Sequence, residues 1–581
     1  MGNFFTRSVF MRFIAVQVVG LTLGTAWAQL PNCPLRPASG SVVAEPLNLY
    51  SENGVLSLGL SLRNGVDSAG YTHDCYDYST GEGMIEAPTL RLNPGDTLKL
   101  DLTDQLNLPA SPASKMKHPM RMGHATGQPG DRCQGGIISQ NSTNLHFHGL
   151  NVPPTCGQDD VINTLIQPND PPFHYQIQIP TNEPPGLYWY HPHVHGFTTD
   201  QVNGGAAGAI IINGIEKIKP QVAGLTEQVL IVRQQFVNPG SWLPGPYELT
   251  LNFQTIVTPP LQTLPQIQVN PGEKQFWRVL NASTQAFLAL QVWFESTPQN
   301  MELIAVDGVP VTGNPEVTTI NVPPAGRAEF VMTGPPTGTA ASFVDLGFDT
   351  GAVGNPNTSQ LLASIVPSSN SVQSSNRIPA VAGVSPPDSR SDAATALRSA
   401  AAKIPSSNAS SENSVQRVPI ASSTPAAAPV QRFADLSTVK PTTTRKLYFS
   451  EAPQGSNGPT NYYLTVDGQT PMVFSPSLPP AIVTNVGAVE DWTIENHSSE
   501  EHAFHIHQIH FLVTAINGVP LQTPVMQDTV LVPYWNGGKT FPSVTVRMDF
   551  RDPEIAGTFV YHCHVLDHED GGMMAEIQVN P

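Results

Sequence analysis

Near the C-terminus a cysteine stands between two histidines, His562-Cys563-His564, with His568 five residues and Met573 ten residues beyond it. Thiolate, imidazole and a weak thioether are the ligand set of a blue-copper electron-transfer site. The two flanking histidines cannot serve that same ion, because neighbours on a strand point to opposite faces. They must face something on the other side, which implies more metal. About sixty residues upstream lies His502-Ala503-Phe504-His505-Ile506-His507. The first third of the chain holds His146-Phe147-His148-Gly149 and Tyr188-Trp189-Tyr190-His191-Pro192-His193. One His-x-His is weak evidence, since any β-rich chain carries one by accident. Four blocks in this order, one of them with the cysteine spacing, are specific.

The elements that must position these residues read as strands. Leu90-Arg91-Leu92-Asn93-Pro94-Gly95 leads into a second alternating run to Leu102. The same design returns at Ile267 to Asn281, around Asn270-Pro271-Gly272, and again at Ile482 to Asn496, around Asn485-Val486-Gly487. Period-2 alternation broken by such a tripeptide is strand, turn, strand. Three copies about two hundred residues apart predict an all-β chain of three related β-sandwich domains. A second repeat aligns Gly186 to His193 with Gly557 to His564, and His146-Phe147-His148 with His505-Ile506-His507. Thr143 stands where the C-terminal copy has His502, so domain 1 carries the paired histidines without a cysteine site. All 17 histidines lie at or before His195 or at or after His497, which leaves the middle domain as a spacer.

Length and composition set the limits. A chain of 581 residues is too long for one core. A net charge of −18 argues against nucleic acid and anionic membrane surfaces as partners. Arg7 and Arg12 precede an apolar run from Phe13, and Ala26-Trp27-Ala28 offers a cleavage site, so residues 1–28 read as a signal peptide. The mature protein is then exported, periplasmic or secreted, with no membrane span. With Cys563 assigned to metal, Cys33, Cys75, Cys133 and Cys156 allow up to two disulfides in three pairings. The boundaries follow as domain 1 at 29–216 with an irregular N-terminal region, domain 2 at 217–365 and domain 3 at 441–581. Residues 366–440 are rich in Ser, Ala and Pro and read as a flexible linker, with a short helix near Ser391–Lys403. That stretch contains no Met, His or Cys.

Taken together, the four histidine blocks resemble the copper-binding motifs of the multicopper oxidases, the laccase-like enzymes that reduce dioxygen to water. The resemblance covers about 85–365 and 441–581. It implies three cupredoxin-like Greek-key β-sandwich domains and four copper ions. It assigns type 1 copper to His502, Cys563 and His568, with Met573 as axial ligand and Met574 as its rival. Type 2 copper takes His146 and His505. The type 3 pair takes His148, His191, His193, His507, His562 and His564. Glu569, and either Asp159 or Asp160, lie where relatives keep acidic residues and are the candidate proton donors. His195 and His510 fall beside the motifs, in supporting or solvent contact. The partners implied are dioxygen and a small-molecule electron donor, a phenol or aromatic amine; the alternative donor is a metal ion, Cu(I), Fe(II) or Mn(II). The missing methionine-rich insert weighs against the cuprous case, since soft thioethers suit Cu(I). A copper nitrite reductase lacks a type 3 pair, and a degenerate storage relative loses ligands; here every ligand position is filled.

Overall fold

The computed structural model describes residues 32–67, 70–108, 121–122, 131–236, 247–256, 263–355, 357–368, 433, 435–454 and 459–581. The proposed signal peptide, the short helix near 391–403 and most of the linker lie outside them. Among the described residues the chain is all-β, with helix confined to short pieces such as Thr198–Gly204 and Leu566–Asp570.

Six large sheets pair face to face. In the first sandwich, Asn48–Tyr50, Thr89–Leu92, Gly208–Ile212, Gly186–His191 and His146–His148 form one sheet. The facing sheet is built on Val55–Val66, Thr72–Thr80, Thr97–Gln105 and Phe173–Gln178. Leu58, Leu60, Leu98 and Leu100 from one sheet meet Leu90, Phe147, Tyr188 and Tyr190 from the other. The last sandwich repeats the plan, with Ile482–Asn485, Met574–Asn580, Gly557–Cys563, His502–Ile506 and Thr529–Val532 in one sheet. The middle sandwich closes around Trp277, Leu290, Phe330 and Phe343.

The three tripeptide turns have a shared purpose. The strands on either side, Thr89–Leu92 and Thr97–Gln105, Gln266–Gln268 and Lys274–Ala282, Ile482–Asn485 and Ala488–Asn496, belong in each case to different sheets. The turn carries the chain across the sandwich rather than folding a hairpin. Gly95, Gly272 and Gly487 adopt φ of 90°, 71° and 95°, a region that costs glycine nothing.

Register places the histidines. His191 pairs with His146 across Gly186–His191 and His146–His148. His562 pairs with His505 across Gly557–Cys563 and His502–Ile506. The two repeats read from sequence therefore occupy the same position in their sheets. Alternation does the rest. Phe147, Tyr188 and Tyr190 turn into the first core, so His146, His148 and His191 turn outward. Phe504, Tyr561 and Cys563 turn into the last core, so His505 and His562 turn outward to meet them.

Two disulfides, Cys33–Cys75 and Cys133–Cys156, select one of the three pairings and suit an oxidising compartment outside the cytosol. No helix among the described residues is long and apolar enough to cross a membrane. At the far end of the linker stretch, Leu436 is fully buried against Val489 and Leu512. Arg547 donates to the carbonyl of Val439 at 2.9 Å, so this end is packed against the last sandwich.

Candidate metal centres

Two groups of ligand-type side chains occupy opposite faces of the strand Gly557–Cys563. On the core face, Cys563 Sγ lies 3.5 Å from His502 Nδ1 and 3.8 Å from His568 Nδ1, and the two Nδ1 atoms are 3.2 Å apart. Their Nε2 atoms face acceptors. His502 Nε2 lies 2.7 Å from Ser498 Oγ and 3.3 Å from Glu451 Oε1, and His568 Nε2 lies 3.1 Å from Glu500 Oε1. With Nε2–H donated outward, two Nδ1 lone pairs and one sulfur converge on a single point, an arrangement that a cation accounts for. Burial would raise the Cys563 thiol, but His502 and His568 outweigh it and bring it down to about 6. Met573 packs in the same core as Cys563. Met574 packs instead with Val161, Ile162, Phe474 and Val560 on the other side. Tyr462 stacks on the His568 ring at 4.4 Å.

On the outer face, eight imidazoles from the first and last sandwiches interlock. His146 stacks on His507 at 3.7 Å and His148 on His505 at 4.0 Å. His562 Nε2 lies 3.2 Å from His193 Nε2 and 3.3 Å from His507 Nε2. His191 and His564 complete the group, their ring centroids 5.6 Å apart. All eight are buried. For each of the eight, burial comes first among the influences that hold the ring below the ordinary histidine range, and neighbouring imidazoles add to it. The rings are therefore neutral, each with a lone pair to offer.

On four of the rings Nδ1 is tied down. His146 Nδ1 faces Asp159, His505 Nδ1 donates to the Asp528 carbonyl, His191 Nδ1 to Pro192 and His562 Nδ1 to Cys563. The opposite nitrogens of His146, His191 and His505 have no protein partner, and neither does Nδ1 of His148 or His507 or either nitrogen of His564. Buried polar atoms without partners are rare, and several pointing into one cage fit metal ions. Triads such as His146, His505 and His507, or His193, His507 and His562, present donor atoms within 4.8 Å of one another.

The three candidate acids separate clearly. Asp159 touches the cage: its carboxylate is 3.0 Å from His146 Nδ1 and accepts from Phe147 N and Gln508 Nε2. Burial raises it well above the carboxylate range. Asp160 instead accepts from the backbone and side chain of Asn163 within its own loop. Glu569 is fully buried, 3.5 Å from His195 Nδ1. Burial pushes it up to about 8.

His195 and His510 are buried, so solvent contact is ruled out for both. His195 lines a small cavity with His193, Phe474 and Met574. His510 donates to the Asp307 carbonyl at 2.8 Å. Sequence reasoning missed Asp528, Arg327, Gln508, Ser498, Glu451 and Glu500. Ser498 and Glu500, four and two residues before His502, and Gln508, directly after His507, carried a signal of position; Asp528, Arg327 and Glu451 reach the site from separate strands or loops.

Comparison with known proteins agrees with this geometry. Multicopper oxidase family models match residues 138–217, 187–363 and 443–581, together more than half of the chain. The chain is 33% identical over 98 residues to a multicopper oxidase of Staphylococcus aureus, covering 16% of this chain and 20% of the relative. It is 27% identical over 187 residues to the iron transport multicopper oxidase FET3 of Gibberella zeae, covering 30% and 27%. A laccase of Bacillus stratosphericus is 29% identical over 108 residues, 16% and 21%. The chain thus spans less than a third of the length of the curated relatives it matches. Among solved structures, a variant of the Aquifex aeolicus multicopper oxidase McoA aligns with a TM-score of 0.62 at 17% identity, over 94% of this chain and 100% of that one. The multicopper oxidase of Campylobacter jejuni, described as a metallo-oxidase, aligns with 0.61 at 19%, over 95% and 98%. These two share the cupredoxin fold.

Proposed function

The chain belongs to the multicopper oxidase family, and from that premise we propose that it couples four one-electron oxidations of a phenol or aromatic amine to the reduction of dioxygen to water. One observation carries the reading. Cys563 faces the core group, while its covalent neighbours His562 and His564 stand in the eight-imidazole cage. The His562 ring also donates to the Cys563 carbonyl at 2.9 Å, a second short link between the two groups.

In this reading His502, Cys563 and His568 would hold type 1 copper, with Met573 as a weaker fourth ligand. His146 and His505 hold type 2, and His148, His191, His193, His507, His562 and His564 hold the type 3 pair. When bound, copper supplies the one-electron chemistry and the reduction of dioxygen. The protein's part is geometry, dryness and protons. Buried aromatic neighbours such as Trp189, stacked on His191 at 4.1 Å, hold the rings in place. Glu569 keeps its proton at neutral pH and stands beside His195, a proton store between the two groups. Asp159 orients His146 and is the second candidate proton donor. Asp160 serves its loop. Export behind a leader ending at Ala28 belongs to the same proposal and is supported by the two disulfides.

A specific observation favours a second donor class. Glu451 and Glu500 sit at the outer edges of His502 and His568. Burial would raise Glu500, but the hydrogen bond from His568 Nε2 leads the influences that outweigh it and bring it down to about 2, so it is a carboxylate. Negative charge at the edge of the electron-accepting site suits a cationic donor, a metal ion such as Fe(II).

Oxygen uptake by copper-loaded protein separates these. Uptake with a simple phenol, four donors consumed per dioxygen and no peroxide released, supports the first reading. Uptake with Fe(II) alone supports the second. A blue protein that consumes no oxygen with either donor overturns both.

A further inference from the structure

We propose that Arg327, on the middle sandwich, is a positioning residue for the histidine cage: acting through Asp528, it sets which ring nitrogen His148 and His505 turn inward. The inference rests on the reading above and gives the middle sandwich a part beyond spacing.

Arg327 opens the strand Arg327–Thr333 and is completely buried where all three sandwiches meet. Its Nε donates to the Leu187 carbonyl of the first sandwich at 3.1 Å. Its Nη1 and Nη2 donate to the two oxygens of Asp528, on the last sandwich, at 2.7 and 2.5 Å. Such a planar fork fixes both the position and the plane of a carboxylate, which a lysine ammonium does not do. Asp307, also from the middle sandwich, braces the arrangement by accepting from Arg327 N at 2.8 Å.

Asp528 touches two cage rings. Its Oδ1 lies 3.3 Å from His148 Nε2, and its carbonyl accepts from His505 Nδ1 at 2.8 Å. The nitrogens left without partners are His148 Nδ1 and His505 Nε2, on two rings that stack at 4.0 Å. His148 thus offers Nδ1, set by the Asp528 carboxylate that Arg327 holds, and His505 offers Nε2, set by the backbone carbonyl of the same residue, which the fork fixes in place. Thr529 Oγ1 donates to Asp528 Oδ1 at 2.9 Å and approaches both rings.

The backbone is shaped around the pair. Gly149, directly after His148, has φ of 87°, and a Cβ there would come within 2.6 Å of both Arg327 Nη2 and Asp528 Oδ2. For stability alone a buried ion pair offers little over well-packed apolar side chains. What this pair offers is a carboxylate held at the correct distance and angle from a ligand ring. Such outer contacts are worth 10–100-fold in metal affinity or activity.

The test uses the full chain loaded with copper, as Arg327→Lys, Asp528→Asn and the double variant Arg327→Met/Asp528→Leu, which removes both charges together and guards against an unfolding single variant. Four quantities are read: the blue absorption of the Cys563 site, the electron paramagnetic resonance signal of non-blue copper, copper retained against a chelator, and kcat and KM for the donor. The proposal expects the blue band and KM of wild type, an altered non-blue signal, cage copper retained 10–100-fold less tightly, and reduced kcat. Variants with wild-type non-blue signal and copper retention overturn it. Joint loss of both sites together with a lowered unfolding temperature in every variant marks a purely structural pair and overturns it too. A wild type that binds copper at Cys563 alone removes the cage reading itself, and this proposal with it.

Discussion

His146 and His507 stack face to face at 3.7 Å with 15° between their planes, although they come from opposite ends of the chain. Each ring also leaves one buried nitrogen without a protein partner, so the stacked pair brings two donor atoms to the junction of the two sandwiches. The cage is thus assembled from two sandwiches, and each half is incomplete without the other.

Replacing the sulfur ligand separates the two groups. Cys563→Ser keeps the strand and the outward face of His562 and His564, so copper bound by the cage is retained. The blue absorption and donor oxidation are lost. Absorption spectra with copper quantification check this; an active, blue serine variant contradicts the assignment.

The two adjacent methionines are distinguishable by potential. Met573 shares the core with Cys563, while Met574 faces the small cavity near His195. Met573→Leu replaces a weak axial donor with none, and the potential of the blue site rises. Met574→Leu leaves it unchanged. Redox titration of both variants reads the difference, and the reverse pattern would make Met574 the axial ligand.

Glu569 ties stability to pH. Burial raises its carboxyl from 4.5 to about 8 in the folded protein. The folded state therefore binds more protons than the unfolded one between those values. Its contribution is fully present below about pH 4.5 and is lost as pH rises toward 8, by at most about 1.4 kcal/mol per unit. In metal-free protein, Glu569→Gln flattens this part of the profile, so the variant gains on wild type as pH rises. Denaturant unfolding at pH 5 and pH 8 measures it; equal differences at both values would refute the buried proton.

The Cys133–Cys156 disulfide closes a loop of sequence separation 23 just ahead of Asp159. Cross-linking a loop of this length is worth about 3 kcal/mol through the unfolded chain's entropy. Replacing both cysteines with alanine lowers unfolding stability by about that amount. It also loosens the loop that carries Asp159, so turnover falls more than donor KM changes. Unchanged stability would mean that the loop is held by other contacts.

Local chemistry and local periodicity were legible in the order of residues. Cysteine between two histidines demands metal on both faces of one strand, because side chains alternate there. That alone separated Cys563 from His562 and His564, and the tripeptide repeats disclosed the recurring sandwich. Neither spacing nor periodicity could choose between Asp159 and Asp160, because adjacent residues of one loop differ only in the direction the folded loop gives them. Arg327 and Asp528 were invisible for a related reason. Asp528 lies 380 residues from His148 in the chain, and the hydrogen bonds that orient a ligand depend on distance in space. The ligands are written in the sequence because strands repeat every two residues; their supports are decided only where three sandwiches close on one another.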